Sequence, residues 1–513
     1  MRCLRPLKVG RRYRRLLGYV LAAALTSSLI VGPLSWGKTA QAQAINYCQM
    51  SAEAIAQKSS LLQEALQGNG NAENRYKNLL EEHANQLQRC RQQNWPQNQA
   101  IWLRLYPCDV REGALEALLD RIVDKGYNQV YLEVFYNGQV LLPAATNRTA
   151  WPASIRIPGY ENRDLLAETI QKGHDRGLKV YAWMFSLNYG YSYSQRPGTE
   201  QILARNGSGQ TSLTFQTAAG LSTEINSTNS EETFIDPYNL QAKRDYYSMV
   251  QAVVARKPDG VLFDYIRYPR GSGAASVASR VQDLWIYGSA AQQALYDRGL
   301  NQSGRDLIYR YLSKGYITTG DIAAVRSLYP NELEPLWQGR TPTNVNPPAP
   351  PDQVRAPLQF QLWQLSVAHA IQGVVDFLAM ASLPVQQAGI SAGAVFFPEA
   401  NQPVGQGGYD SRLQPWDRFP ANIEWHPMAY GTCGNTGCIV SQVQRVLSLA
   451  PPGAQVMPVL AGVWGAPITG RPPLEAQMQS LRQAAPQLNT VSHFAFSWQE
   501  PQFDRERKFC RLE

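Results

Sequence analysis

The chain has 513 residues, 44% of them hydrophobic and 17% charged, which suits one large barrel with additions or about three average domains. Its formal charge of +8 sits in residues 1–44, which carry eight bases (Arg2, Arg5, Lys8, Arg11, Arg12, Arg14, Arg15, Lys38) and no acid, leaving 40 bases against 40 acids beyond them. A neutral body excludes a charge-driven nucleic-acid partner.

Residues 1–44 have the three parts of a secretory signal peptide: a basic stretch to Arg15, an apolar run from Leu16 to Leu34, and small residues offering A-x-A cleavage at Ala40–Ala42 or Ala42–Ala44. An uncleaved anchor is the competing reading, because about 19 apolar residues just span a bilayer. Pro33 and the A-x-A sites favour cleavage. The body is therefore expected in the periplasm or outside the cell, touching a membrane only if the segment is retained.

Residues 49–67 and 73–92 read as two polar helices around the turn Gly68-Asn69-Gly70-Asn71, a hairpin domain over 45–97. Cys48 and Cys90 each lie 21 residues from Asn69, so an antiparallel hairpin sets them side by side. Cys433 and Cys438 close a tight loop, which leaves Cys108 for Cys510. No CxxC is present and the five histidines are scattered, so the spacings suit disulfides in an oxidising compartment and not zinc. The hairpin has no pocket-like pattern; its polar faces suit packing or self-association.

From 98 to 513 short apolar runs alternate with helical ones. The predicted strands are Ile101–Tyr106, Gln129–Phe135, Lys179–Phe185, Gly260–Tyr265, Gly389–Phe396, Ile423–Ala429, Gln455–Ala461 and Val491–Trp498. Helices are predicted at 112–125, 163–176, 238–256, 357–382, 437–449 and 473–486, with a short helical signal near 411–418. Eight strands in this order predict an α/β fold, a (β/α)8 TIM-type barrel with its active face at the strand C-termini. A doubly wound sheet would more often carry a Gly-rich phosphate turn after its first strand, and none is here.

Two insertions fall on that face. Residues 187–233 are polar and rich in Tyr, Ser, Thr and Gly. Residues 270–340 look helical, carry Trp285, Tyr287, Tyr309, Tyr311 and Trp337, and return through a Pro-rich linker at 341–356. Both are placed to wall a cleft; for the helical one the competing reading is decoration or an oligomer contact.

The segment Asp259-Gly-Val-Leu-Phe-Asp264-Tyr-Ile-Arg267-Tyr268-Pro269 is a buried strand ending in a carboxylate, followed by a cation and a phenol. Asp264 is placed to act as nucleophile or base with Arg267 holding it ionised, or the two simply tie down a loop. Aromatic residues at or just beyond strand ends suit sugar faces: Trp183, Tyr189, Tyr268, Tyr430, Trp464 and Trp498. Asn188 and His426 are candidates to read hydroxyls. His174, late in a helix before Gly177, suits a structural role. Asp236, in Ile-Asp-Pro, is a further substrate-side candidate that also suits a cap of the helix at 238.

The Asp259–Pro269 segment resembles the signature of the glycosyl-hydrolase-like family 10 domain, also called the domain-of-unknown-function 187 group. Val130-Tyr-Leu-Glu-Val, His174-Asp-Arg-Gly-Leu-Lys-Val-Tyr-Ala-Trp183, Phe234-Ile-Asp-Pro237, His426-Pro-Met-Ala-Tyr430 and His493-Phe-Ala-Phe-Ser-Trp498 follow the family order over about 99–500. The resemblance implies a TIM-type barrel with glycosidase-like activity on polysaccharide, with the glycan strands of bacterial peptidoglycan as the leading candidate; from the residue pattern, no cofactor or metal is expected. This chain has Tyr265 where many members carry a second acid, and Glu133 where many carry Gln.

Glycoside hydrolysis asks for two carboxyl groups. Asp264 is the first. For the proton donor the candidates are Glu399, in Phe396-Phe-Pro-Glu after the fifth strand, and Glu133, which alternatively faces the barrel interior and orients Arg267. The competing class is a catalytically silent glycan-binding barrel. A metal-dependent deacetylase fits the scattered histidines poorly.

Overall fold

The computed structural model describes residues 47–219, 232–343 and 345–510. The signal-peptide reading of 1–44 falls outside them, as do residues 220–231 of the first insertion.

Eight strands build the core: β1 (Asn98–Leu103), β2 (Gln129–Tyr136), β3 (Lys179–Phe185), β4 (Gly260–Asp264), β5 (Ser391–Phe396), β6 (Glu424–Ala429), β7 (Val459–Ala461) and β8 (Thr490–Phe494). Each pairs in parallel with the next, and β1 also pairs with β8 in the register Asn98 to Thr490 and Ile101 to His493. The sheet therefore closes, and the fold is the (β/α)8 barrel that the alternation predicts. Crossover helices include Ala114–Asp124, Leu165–His174, Leu240–Val254, Gly437–Leu449 and Leu474–Ala484.

Aromatic side chains fill the barrel. Trp102 meets Tyr131 at 5.0 Å and Trp183 at 4.8 Å between ring centroids, and Tyr131 meets Tyr181 at 5.4 Å. Near the strand N-termini a polar group closes the floor: Glu424 accepts from the Tyr181 hydroxyl and lies 3.2 Å from Nε2 of His426. Burial alone would raise the Glu424 carboxyl, but these partners hold it below its ordinary value. Gly393 on β5 is needed here, since a Cβ would come within 3.0 Å of the His426 ring.

Three boundaries differ from expectation. β1 stops at Leu103, because Tyr106-Pro107 opens a 3-10 turn whose Asp109 side chain accepts the Tyr106 amide at 2.7 Å. The seventh strand is two pieces, Gln455–Val456 and Val459–Ala461, interrupted where Pro458 has no N–H to give. β8 ends at Phe494, so Trp498 belongs to the short helix Phe496–Gln499, and a last helix, Pro501–Lys508, was not anticipated.

The fourth-to-fifth crossover is longer than its pattern suggests. It runs over Pro351–Gln387, 37 residues, so the linker ends at Pro350, not at 356; proline suits the first helical position. By length and composition this helix is apolar enough to cross a membrane, yet Leu362, Val374, Phe377 and Leu378 are buried inside the chain. The second insertion contributes helices Ser289–Tyr296, Gln302–Lys314 and Thr319–Leu328. Its Trp285 and Trp337 are buried in the main core, Trp285 against Phe215 of the first insertion at 5.4 Å between ring centroids.

The N-terminal hairpin is Ala52–Leu66 and Gly70–Gln93. Asn69 caps the second helix by accepting from the amides of Asn71 and Ala72. The hairpin docks on the barrel through a buried polar cluster: Lys58 reaches Asp124 at 2.5 Å, and the Tyr76 hydroxyl and Arg176 both donate to Asp120 at 2.7 and 2.8 Å. Its buried apolar side chains, Leu61, Leu62, Tyr76, Leu79 and Leu80 among them, pack within the chain, while Ile55 and Leu66 stay exposed. Three disulfides join Cys48 to Cys90, Cys108 to Cys510 and Cys433 to Cys438.

Candidate active site

Asp264 closes β4 at the C-terminal mouth of the barrel, with 6% of its surface exposed. Both oxygens are engaged: Oδ2 accepts from the Trp183 indole at 3.0 Å and Oδ1 from the Tyr265 amide at 2.6 Å. Burial pushes its carboxyl up to about 6, against the pull of these donors and of Arg267, and the Glu133 charge adds to the rise.

Tyr265 takes a left-handed backbone conformation, φ 51°, uncommon for an aromatic residue. Its ring is sandwiched between Phe185, 4.1 Å away, and the Arg267 guanidinium at 4.4 Å. Beyond β3 and β4 the chain continues the ladder: Ser186 N–H donates to Asp264 O and Leu187 N–H to Tyr265 O. The segment 233–235 pairs in turn with 187–189, through Tyr189 N–H to Thr233 O at 2.7 Å and Ile235 N–H to Leu187 O at 3.1 Å. This ladder carries Glu232 to the mouth, where its Oε1 accepts from the Tyr265 hydroxyl at 3.1 Å. Burial raises the Glu232 carboxyl, Arg267 and the Tyr265 hydroxyl lower it, and the Asp264 charge raises it further.

Glu232 is the residue that sequence reasoning missed. It lies in a polar stretch with no periodicity, and its only signal is its place just before Phe234-Ile-Asp-Pro on an insertion facing the mouth.

The two expected proton donors each have a partner of their own. Glu133 is buried and forms a two-pronged ion pair with Arg104, through Nε and, at 3.0 Å, Nη2; it does not orient Arg267. Glu399 accepts from the Gln442 side chain at 3.2 Å and makes no hydrogen bond to Asp264. Arg267 is buried over the Tyr265 ring and donates to the Tyr268 carbonyl.

Of the substrate-side candidates, Trp183 supports Asp264 from below, while Tyr430 and Trp498 are half-buried at the mouth on either side of Phe494, at 5.8 and 5.9 Å. The others are engaged within the protein. Tyr189 and Tyr268 are fully buried and donate to the carbonyls of Ala242 and Ala370. Asn188 accepts from the amides of Gly190 and Thr233, holding the ladder. His426 belongs to the barrel floor. Trp464 packs outside the barrel on Tyr47 and the Tyr127 hydroxyl.

Asp236 does not cap the helix at 240, which Asn239 does. It accepts instead from the Tyr238 amide and, across 55 positions, from Ala291 in the first turn of Ser289–Tyr296. Asp236 thereby latches the second insertion to the barrel. His174 has the structural role its position suggests, its Nε2 lying 2.9 Å from Asp259. Among the described residues no group of three His, Cys, Asp or Glu side chains is placed to hold a metal ion.

A carboxylate-bearing mouth on a closed parallel barrel agrees with the family read from the motifs. Residues 95–293 match the family model of glycosyl hydrolase-like 10. Over 201 residues the chain is 28% identical to glycosyl hydrolase DigH of Escherichia coli strain K12, and equally to DigH of Shigella flexneri. The alignment takes 38% of this chain and 43% of the relative, so the chain spans less than half the length of these curated relatives. Similar solved structures include the PgaB (BpsB) glycoside hydrolase domain from Bordetella bronchiseptica, 16% identical with a TM-score of 0.46 over 80% of this chain and 98% of that one. The catalytic domain of β-amylase from Paenibacillus polymyxa is 9% identical, TM-score 0.43, over 78% and 92%. The glycosyl hydrolase-like 10 match covers β1 to β4 and both carboxylates at the mouth, Asp264 and Glu232.

Proposed function

We propose that this protein is an exported glycoside hydrolase acting on a cell-envelope polysaccharide, with peptidoglycan glycan strands as the leading substrate. The observation that carries the proposal is the pair Asp264 and Glu232 at the barrel mouth, two buried carboxyl groups bridged by Tyr265, whose amide donates to one and whose hydroxyl donates to the other. Burial raises both carboxyls, and the Asp264 charge raises Glu232 further. Both Asp264 oxygens already accept N–H donors, which favours the anion there. Glu232 is then the acid.

In this scheme Glu232 gives its proton to the glycosidic oxygen as the C–O bond breaks. Asp264 faces the positive charge growing on the anomeric carbon and captures it directly or through a water. Tyr430, Phe494 and Trp498 offer the flat faces for a sugar ring. Three disulfides favour an oxidising compartment, in line with a signal peptide at 1–44, a hairpin domain at 45–97 and a barrel domain at 98–513.

A silent glycan-binding barrel is the second reading, favoured by Tyr265 standing next to Asp264 in place of an acid. The test is release of new reducing ends from peptide-free glycan strands by the purified protein, beside Asp264→Asn and Glu232→Gln. Release lost in both variants supports the hydrolase; saturable binding without release supports the second reading.

A further inference from the structure

The loop after β7 holds a cation with no anion. Arg471 is only 9% exposed, yet among the described residues no carboxylate lies within ion-pair distance of it. Several buried or half-buried arginines are matched, Arg104 with Glu133, Arg176 with Asp120, Arg412 with Asp410 and Arg507 with Asp109, whereas Arg91 and Arg267, like Arg471, donate to backbone carbonyls. The Arg471 donors go to neutral acceptors, Nε to the Tyr430 carbonyl at 3.1 Å and Nη1 to the Thr469 hydroxyl at 2.7 Å, and Nη2 has no protein partner among the described residues. Burial pulls the guanidinium below its ordinary value, with only the Tyr430 phenol opposing. A largely desolvated charge without a counter-charge is costly to keep.

The protein nevertheless fixes it firmly. Ile468 to Arg471 form a two-residue hairpin turn closed by reciprocal backbone bonds of 3.0 and 2.9 Å, with Thr469 and Gly470 both left-handed (φ 46° and 73°). Gly470 is pressed against the next loop, where a Cβ would stand 2.9 Å from the Thr432 carbonyl, and its own carbonyl accepts the Gly434 amide at 2.8 Å. That next loop is the one closed by Cys433–Cys438. Arg471 therefore points from a clamped turn, itself held by a disulfide loop.

Its place is the catalytic mouth. It follows β7, it holds the Tyr430 carbonyl after β6, and the Tyr430 phenol feels both Arg471 and Asp264. We infer that Arg471 is a substrate-recognition residue that receives a carboxylate carried by the sugar, so that the glycan this mouth takes is acidic. The inference rests on the reading of the mouth as a glycan site. A carboxylate supplies the missing counter-charge, and the open Nη2 edge presents a donor to it at no cost of ordering the side chain.

Two sugar chemistries carry such a group: an ether-linked carboxylate, as in muramyl residues, and a ring carboxylate, as in uronic acids. The test uses peptide-free muramyl glycan strands, the same strands with carboxyls reduced to alcohols, and an oligouronate. Binding is measured by calorimetry on Asp264→Asn protein, with and without Arg471→Gln, and cleavage on the wild type and on Arg471→Gln and Arg471→Lys.

The expected result is weaker binding and a KM raised about tenfold by Arg471→Gln on one acidic glycan. The reduced strands should be handled equally by wild type and variant, which also shows that the variant is folded. Arg471→Lys should recover part of the loss. Whichever acidic glycan responds identifies the source of the carboxylate. Equal handling of acidic and reduced strands by the wild type, an equal loss on both in the variant, or binding of no acidic glycan overturns the inference. Selective binding without cleavage by the wild type overturns the hydrolase reading alone.

Discussion

The hydroxyl of Tyr265 donates to Oε1 of Glu232 at 3.1 Å, linking the residue beside Asp264 to a carboxylate 33 positions earlier in the chain. The tyrosine that stands where a second acid was looked for thus reaches one held on another segment. Tyr265→Phe removes a bond that lowers the Glu232 carboxyl, so the group should titrate at higher pH. The alkaline limb of the pH–rate profile is expected to move upward, with kcat reduced about tenfold. An unmoved limb counts against Glu232 as the acid.

Glu232→Gln is expected to lower turnover of polysaccharide by about 10²–10⁴-fold. A substrate with a good leaving group, such as a nitrophenyl glycoside, needs little protonation and should be far less affected. Comparing the two substrates separates loss of an acid from general damage to the mouth.

In the proposed scheme Asp264 acts as an anion, and burial pushes its carboxyl up to about 6, so activity should fall as the pH drops through that value. Stability runs the other way. The folded state holds this proton more tightly than the unfolded one, so the contribution is complete below about 3.8 and is lost as pH rises through about 6. A shift of that size corresponds to about 2–3 kcal/mol. Asp264→Asn is therefore expected to raise Tm at pH 7 while abolishing cleavage, which calorimetry and a reducing-end assay check together.

Lys58 is 2% exposed and bonded to Asp124 at 2.5 Å between the hairpin and the helix Ala114–Asp124. Lys58→Met leaves Asp124 and Asp120 buried without this cation. The expected loss is about 3–5 kcal/mol, read by denaturant unfolding. Residual activity of the folded fraction should not change, since the cluster lies away from Asp264.

Asp236→Asn replaces a carboxylate that accepts from Tyr238 and Ala291 with a group offering a single acceptor oxygen. Hydrogen exchange in Ser289–Tyr296 should quicken, at a cost of about 0.5–2 kcal/mol. Exchange confined to wild-type rates there would show the latch to be dispensable.

The barrel was legible because its strands are short apolar runs buried on both sides, and Lys179–Phe185 stands where the pattern puts it. The strand ends were less so: Tyr106-Pro107 and Pro458 act through a missing N–H, which hydrophobic spacing does not register. Asp264 was legible because it ends a strand. Glu232 was not, because what places it is a ladder between loops, 233–235 on 187–189, and loop pairing leaves no period in the sequence. Tyr189, Tyr268 and Trp464 show the converse. An aromatic residue after a strand reads alike whether it meets sugar, a neighbouring carbonyl or the outside of a helix, and only packing distinguishes the cases.

The bridge from Cys108 to Cys510 spans 402 positions and lies beside the joint where β1 meets β8. On a chain made from its first residue onward, six of the eight strand pairs of the ring are available before β8 emerges to close it. The thiol at 108 consequently waits for nearly the whole polypeptide, and its capture by 510 reports a finished molecule. A truncated or stalled product keeps that thiol free, which makes its alkylation a simple reading of how many chains have been completed and closed.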